Sequence, residues 1–541
     1  MPGNHTHSLF WRVYIPGFIA LLTLLLRLHN IDVPSITQDE SSMIRYAQEG
    51  ILERGYSFRW RGGEEFLLST YELVPYPIAI SIFFLGFSEF AVRLPAVFFA
   101  VGTSLLIYYF ASYLFNRKVG LLSALIFAIL PWAIYWGNNA FYPAQLQFFT
   151  LLLTILVHRV FSTGQINNAL PYLICLCFLA TFFTWEVAGI VLPVFLIIGL
   201  LTRSENSNWH TGKHTWYAGG IAILAVVAQL TYRTILRYPY EKLGNSLSDL
   251  SFLRLAFTQT DFSPFFYVQA FSKGDAHMMI ILFFIVGLFF LRANHNMRFL
   301  YLFFLGCQIF LTIFLGLYAL RYSYFLLPYV IIIASAATFL FCDYLAGSLH
   351  STSLVSLNVI KRANIAVLLT LQVAIALPWG LQGFNIFSDK KKAPPLEFSY
   401  YHRGASFRTI AQALQKHYHS GDIIIVQAPS PLIVYTQLTG NYFLQSITSS
   451  AVFFDTTDSP YYMDKWVGNP VLRNYQELQS ILYQHPRVWF VSVPHFRSMK
   501  RLEPVLQDLI ANEMTLVAES INGRLYFWEN KHLANQSANE T

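Results

Sequence analysis

Residues 88–143 read SEFAVRLPAVFFAVGTSLLIYYFASYLFNRKVGLLSALIFAILPWAIYWGNNAFYP. Two apolar runs, 91–114 and 119–136, are joined by the short basic link Asn116-Arg117-Lys118 and followed by the polar turn Gly137-Asn138-Asn139. Each run has the length of a membrane-crossing helix, for which ~20 apolar residues are needed. A basic link between two such runs reads as a cytoplasmic connection, because Lys and Arg are retained on that side of a membrane. The polar turn after the second run then lies on the outer face.

Extending outward, the chain shows the same pattern almost throughout. Of 541 residues, 55% are hydrophobic and only 12% charged, and the mean hydropathy is +0.45. That excludes an ordinary soluble protein of this size. The expected fold class is an α-helical polytopic membrane protein with a C-terminal soluble α/β domain. Candidate spans are 10–29, 91–114, 119–136, 144–161, 168–184, 187–202, 215–236, 276–291, 299–318, 323–343 and 363–383, eleven in all. The first is flanked by Arg12 and Arg27 and reads as a retained span rather than a removed signal. The stretch 76–87 is apolar but too short for a straight crossing, so it reads as a juxtamembrane or re-entrant helix.

A parity check supports this count. With the N-terminus cytoplasmic, the interior connections carry Arg117/Lys118, His158/Arg159, Arg203/Lys213, Arg292/Arg298 and Lys361/Arg362. Every one is basic, as the positive-inside rule requires. Much of the formal net charge of +7 is thus explained by topology and does not call for a nucleic-acid partner. The domain boundaries expected are 1–384 for the membrane domain, with a first outer loop at 30–90, and 385–530 for an extracytoplasmic domain. A disordered tail is expected at 531–541. In the second domain, 422–426 and 487–493 read as buried strands, and 407–418, 475–483 and 502–511 as helices. Further strands are expected near 515–518 and 524–528. Alternation of strands and helices predicts a small α/β domain. It contains neither a GxGxxG nor a GxxxxGK[ST] pattern, so no nucleotide site is assigned. The four cysteines, Cys175, Cys177, Cys307 and Cys342, all lie in apolar runs and read as buried small hydrophobes.

On this topology the polar candidates share one face. Asp39 and Glu40 stand in the first outer loop within TQDES; a carboxylate held near a hydroxyl acts as a general base, whereas a solvated acidic pair is inert. Glu72 lies in the same loop, as a further acid or as a helix cap. Asn138, Asn139 and Tyr142 offer donors and acceptors suited to sugar hydroxyls, in what is also ordinary turn chemistry. Trp185 and Glu186 form a short outer connection, suited to stacking on a sugar or to anchoring at the interface. Arg233, Arg237 and Arg321, the last followed by Tyr322, lie at the outer ends of spans against the charge bias. A lipid phosphate would be a natural partner for such arginines; snorkelling to headgroups is the alternative.

These pieces together resemble the C-type (GT-C) glycosyltransferases of the dolichyl-phosphate-mannose–protein mannosyltransferase and aminoarabinose transferase superfamily, glycosyltransferase families 39 and 83, in their prokaryotic form. The likeness rests on TQDES after the first span and on residues 88–143, with their E-x-x-x-R-L-P start and their basic link followed by V-G-L-L. It rests also on R-Y-S-Y-F-L-L-P at 321–328 and on the outer C-terminal domain. The resemblance implies transfer of a sugar from a polyprenyl-phosphate donor to a glycan, lipid or protein acceptor at the outer face of the plasma membrane. Asp39 would be the base with Glu40 beside it, and Arg321 would stabilise the leaving phosphate. One departure stands out: the turn after the third span carries Asn138 and Asn139 where many relatives carry an acidic or arginine-containing motif. No cofactor is predicted; a divalent metal is conceivable, but two adjacent acids do not supply enough ligands. Two rivals remain. One is a transporter or flippase for lipid-linked glycans, which predicts mid-membrane charges and repeated halves. The other is a non-catalytic partner in envelope assembly, with an inert acid pair.

Overall fold

Helix boundaries along the chain follow from proline, glycine and capping side chains. The computed structural model describes residues 10–61, 64–66, 71–163, 168–201, 212–232, 271, 275–292, 294–314, 320–350, 407–445, 453–455, 462–464, 466–492, 502–520 and 523–530. In chain order the helices are α1 (Ile15–Leu28), α2 (Gln38–Arg45), α3 (Pro75–Leu85), α4 (Glu89–Leu114), α5 (Arg117–Ile129), α6 (Pro131–Gly137), α7 (Tyr142–Thr163), α8 (Leu170–Thr184), α9 (Val191–Leu201), α10 (Lys213–Tyr232), α11 (Asp275–Val286), α12 (His295–Phe314), α13 (Leu327–His350), α14 (Phe407–His417), α15 (Pro429–Thr436), α16 (Tyr475–Gln484) and α17 (Pro504–Glu513). The strands are β1 (Arg59–Arg61), β2 (Glu64–Phe66), β3 (Ile423–Val426), β4 (Tyr442–Leu444), β5 (Phe453–Asp455), β6 (Tyr462–Asp464), β7 (Val471–Leu472), β8 (Arg487–Ser492), β9 (Thr515–Ser520) and β10 (Gly523–Glu529).

The chain divides into two units. The first takes Met1–Asn30, Arg93–Gln229 and Leu250–Ser388. Its central helix is α13, which is almost wholly buried and packs against α5, α11 and α12. Ala334, Ser335, Ala336 and Ala337 are buried there, and such small side chains let neighbouring helices approach closely. Polar groups join helices across this interior: Gln147 Nε2 donates to Tyr324 O at 2.9 Å, and the Thr154 and Tyr329 hydroxyls meet at 2.7 Å. Large apolar side chains such as Phe18, Leu224 and Phe289 face outward instead. An apolar exterior of this kind suits lipid contact.

Six described helices are long and apolar enough to cross a membrane, or seven if the bent pair α5–α6 is one span. The sequence predicts eleven. Three of the expected spans are shorter apolar helices, Leu170–Thr184, Glu186–Leu201 and Ile280–Phe290. The span expected at 363–383, part of that at 215–236 and the tail 531–541 lie outside the described residues. The span expected at 119–136 is broken, bending by 67° between α5 and α6. Leu130 is extended (φ −68°, ψ 124°), which the following Pro131 favours by excluding the helical region from the residue before it.

The second unit takes Ile31–Val92, Leu230–Asp249 and Asp389–Thr541. The first outer loop therefore packs with the C-terminal domain, although the sequence reading groups it with the membrane helices. The domain core is a six-stranded sheet in the order β7-β4-β3-β8-β10-β9, with β7, β4, β3 and β8 parallel and β10 antiparallel to both its neighbours. Side chains alternate across it as period two demands. Ile425, Val488 and Phe490 pack with Leu478, Ile481, Leu506 and Ile510 from α16 and α17. Ile424, Val426, Trp489 and Val491 pack with Phe407, Ile410, Leu414 and Leu432 from α14 and α15. The result is a helix–sheet–helix sandwich, the α/β domain expected.

Helix α3 has 11 residues, about 16 Å at 1.5 Å per residue, too short to cross. This agrees with the juxtamembrane or re-entrant reading. Gly86 ends it with φ +73°, a left-handed conformation open to glycine, and its N–H donates to Ile82 O at 2.8 Å. Ser81 Oγ then donates to Ala91 O at 2.6 Å, fastening α3 to the start of α4.

Candidate functional site

Asp39 lies in the first turn of α2, a helix started by a complete capping box. Thr37 Oγ1 accepts from Glu40 N at 3.2 Å, and Glu40 Oε2 accepts from Thr37 N at 2.9 Å. The two adjacent acids therefore have different surroundings. Glu40 is fully buried and its carboxylate serves the helix start, while Asp39 is half-buried. Unpaired backbone N–H groups in a first turn favour negative charge there. Ser41 Oγ and Ser42 Oγ both donate to Gln38 O, at 2.8 and 3.2 Å. One helical turn beyond, Arg45 donates twice to Glu49, at 2.6 and 3.0 Å. Glu72 is half-buried in the turn before α3.

In the helical unit the candidates gather around three stacked rings. Tyr142 and Trp185 stack with centroids 5.2 Å apart at 22°, and Trp185 and Tyr322 with centroids 5.1 Å apart at 19°. The Arg321 guanidinium lies 5.4 Å from the Tyr322 centroid and 5.7 Å from that of Phe141, within the range of cation–π attraction. Trp185 is thus a buried ring inside the stack; Glu186, beside it, is half-buried. Gln145 Nε2 donates to Thr184 Oγ1 at 3.1 Å, tying the start of α7 to the end of α8 next to the stack. Arg233 and Arg237 lie outside the described residues.

Asn138 and Asn139 stand between α6 and α7. Both are buried. With its amide oriented to donate, Asn138 Nδ2 reaches Ile134 O at 2.6 Å and Tyr135 O at 2.7 Å, closing the end of α6. Asn139 O accepts from Phe141 N at 2.8 Å within the turn. Here the Asn138 side chain closes the helix end, and the Asn139 backbone carbonyl accepts within the turn.

The residue that shapes this turn is one the sequence reading uses only as a flank of the first span. Pro131 has no N–H, so Phe127 O loses its helical partner. Arg27, fully buried in α1, replaces it: Nη2 donates to Phe127 O at 3.1 Å and Nη1 to Ala128 O at 2.8 Å. Gly137 sits against this arginine so closely that an added Cβ would lie 2.7 Å from Arg27 Nε. The available signals are a proline inside an apolar run, which frees a carbonyl, and an arginine inside another. The Thr37-x-x-Glu40 capping box is likewise readable from spacing. Among the described residues no group of three or more His, Cys, Asp or Glu is placed to hold a metal ion.

No curated protein matches the chain in sequence. The family described as dolichyl-phosphate-mannose-protein mannosyltransferase matches residues 73–232. Among solved structures, ArnT from Cupriavidus metallidurans bound to undecaprenyl phosphate is similar with a TM-score of 0.62 at 12% identity, over 94% of this chain and 97% of that one. The archaeal oligosaccharyltransferase AglB from Archaeoglobus fulgidus, in complex with an inhibitory peptide and a dolichol-phosphate, is similar with a TM-score of 0.56 at 10% identity, over 89% and 69%. The likeness is one of architecture: the chain has the fold of the GT-C glycosyltransferase superfamily, with the mannosyltransferase sequence pattern across residues 73–232.

Proposed function

We propose that this protein is a multi-pass membrane glycosyltransferase that moves a sugar from a polyprenyl-phosphate donor to a glycan, lipid or protein acceptor at the outer face of the plasma membrane. The N-terminus is cytoplasmic and the C-terminal domain extracytoplasmic in this reading. The observation that carries it is the placement of Asp39 in the first turn of a capped helix directly after the first apolar helix, in a chain of this fold.

Asp39 is the general base. Its carboxylate takes the proton of the acceptor hydroxyl, and the oxygen attacks the anomeric carbon. The bond from that carbon to the phosphate oxygen breaks, and its electron pair leaves with the polyprenyl phosphate. Attack opposite the leaving group inverts the anomeric configuration. Phosphate is a good leaving group, so the larger task is to stabilise its developing charge. Arg321 has that role, since a guanidinium matches phosphate with two parallel donors. Tyr142, Trp185 and Tyr322 contribute aromatic surface, and Glu186 and Glu72 are candidate contacts for sugar hydroxyls. Glu40 supports Asp39 through the cap.

The test uses purified full-length protein, an envelope extract of glycans, lipids and proteins as acceptor, and synthetic undecaprenyl-phosphate sugars carrying mannose, glucose, galactose, arabinose or 4-amino-4-deoxyarabinose, with acceptor-dependent release of undecaprenyl phosphate measured. At least one donor is turned over by the wild type, and Asp39→Asn lowers that rate by roughly 10²–10⁴-fold, the usual contribution of a positioned base. Turnover of no donor, or undiminished turnover in Asp39→Asn, overturns the reading.

A further inference from the structure

The segment that leads into α2 is held by residues from three distant parts of the chain, all within the second unit. Ile36 N donates to Tyr435 Oη at 2.7 Å, and Tyr435 Oη donates to Glu89 Oε1 at 3.0 Å. Arg408 Nη2 pairs with the same Glu89 oxygen at 2.7 Å and donates to Asp32 O at 2.6 Å. The backbone N of Arg408 donates to Ser35 Oγ at 3.0 Å. Ser35 and Ile36 are buried, so their polar groups need protein partners. Tyr435 is on α15, which packs against α2, and Arg408 is in the first turn of α14.

The order of these contacts matters. A phenol has one proton; Tyr435 gives it to Glu89, which aims the oxygen lone pairs at the Ile36 amide. Arg408 compensates the Glu89 charge and also grips the segment itself. Ile36 immediately precedes the N-cap Thr37, so whatever fixes its amide fixes where α2 begins. Asp39 stands three residues further on. A catalytic group displaced by ~1 Å can lose ~10²-fold in rate.

We propose that Glu89, Arg408 and Tyr435 are positioning residues: they clamp the start of α2, and through them the C-terminal domain sets the placement of the Asp39 carboxylate. This rests on the reading of Asp39 as base. It also gives the glutamate of the E-x-x-x-R-L-P motif a task. None of the three touches substrate; they act through Asp39.

The test compares wild type, Tyr435→Phe, Arg408→Lys and Asp39→Asn as full-length protein in lipid nanodiscs, by hydrogen exchange of peptides covering 31–45 and by steady-state kinetics on the fastest undecaprenyl-phosphate sugar. Tyr435→Phe speeds exchange at 36–42 by about fivefold or more, leaves β3 and β8 protected, and lowers kcat by about tenfold with the donor KM within about twofold. Arg408→Lys, which keeps the charge beside Glu89, falls between it and the wild type. Unchanged exchange at 36–42 overturns the clamp; faster exchange with unchanged kcat reduces it to a stabilising contact and also overturns it. Undiminished turnover in Asp39→Asn fails the base assignment instead, and the exchange data still decide whether the clamp holds the helix.

Discussion

Arg27→Met is the most informative single substitution in the helical unit. Methionine keeps an unbranched, flexible stem but has no guanidinium, so the change removes the donors and leaves an apolar side chain in their place. Two buried carbonyls, Phe127 O and Ala128 O, lose the hydrogen bonds they receive at 3.1 and 2.8 Å. Orphaning a buried acceptor costs about 1–3 kcal/mol. Against this, burying the guanidinium itself carries a desolvation penalty that methionine escapes. Phe127 O has no helical alternative, because the residue four positions on is Pro131. The net effect is therefore a loss of about 2–4 kcal/mol. At roughly 2–4 °C per kcal/mol for a large domain, the melting temperature falls by about 4–16 °C. The assay is tryptophan-fluorescence melting of the full-length protein in detergent, with Trp132 and Trp136 on α6 as local reporters. Melting within about 1 °C of wild type would refute the account of the α5–α6 bend.

Other consequences are as specific. Gly137→Ala places a methyl group 2.7 Å from Arg27 Nε and 3.0 Å from Ala100 Cβ, so the same melting assay shows a loss of about 1–3 kcal/mol from overpacking. Thr37→Ala removes half the capping box and raises exchange of the α2 amides by roughly fivefold, matching ~1 kcal/mol for an N-cap. Trp185→Ala empties the centre of the ring stack and lowers stability by about 3–5 kcal/mol, read as lost folded protein after mild heating. Asp464 is fully buried, and burial pushes its carboxyl up to about 6, against the backbone N–H groups of Trp466, Val467 and Asn469 that donate to it. A folded pKa above the unfolded value means that the native state holds the proton longer. The associated stability is complete below about pH 4 and is lost as pH rises through 6, by ~3 kcal/mol at 1.36 kcal/mol per unit. Melting scans between pH 4 and 7 show this slope in the wild type and not in Asp464→Asn.

Much of the C-terminal domain was legible because its chemistry is local. Residues 422–426 and 487–493 are continuous apolar runs that read as doubly covered strands, and β3 and β8 lie between two helix layers. Short β4 and β7, and the proline-led α15, gave too little pattern to read. The membrane helices are legible by length, and Pro131 is the local signal for the break at Leu130, which length alone does not show. At the candidate site, spacing found the acid pair and the Tyr142, Trp185 and Tyr322 rings. Spacing alone does not divide labour between Asp39 and Glu40; the resemblance implies Asp39 as the base, and the capping contacts tie Glu40 to the helix start. Glu89, Arg408 and Tyr435 were out of reach, since nothing local marks a hydrogen bond across 346 or 399 positions.

Those separations bear on how the protein is made. The amide of Ile36 and the hydroxyl that receives it are 399 residues apart, which at ~5–20 residues per second is roughly 20–80 s of translation. Through that interval the Asp39 helix has left the ribosome without the surface that seats it. Completion of the chain's last third, rather than insertion of its first helices, is the step at which this loop is put in place. Premature termination between residue 384 and Tyr435 would leave a membrane protein with its spans present and its acid-bearing loop unseated, a product for quality control to remove.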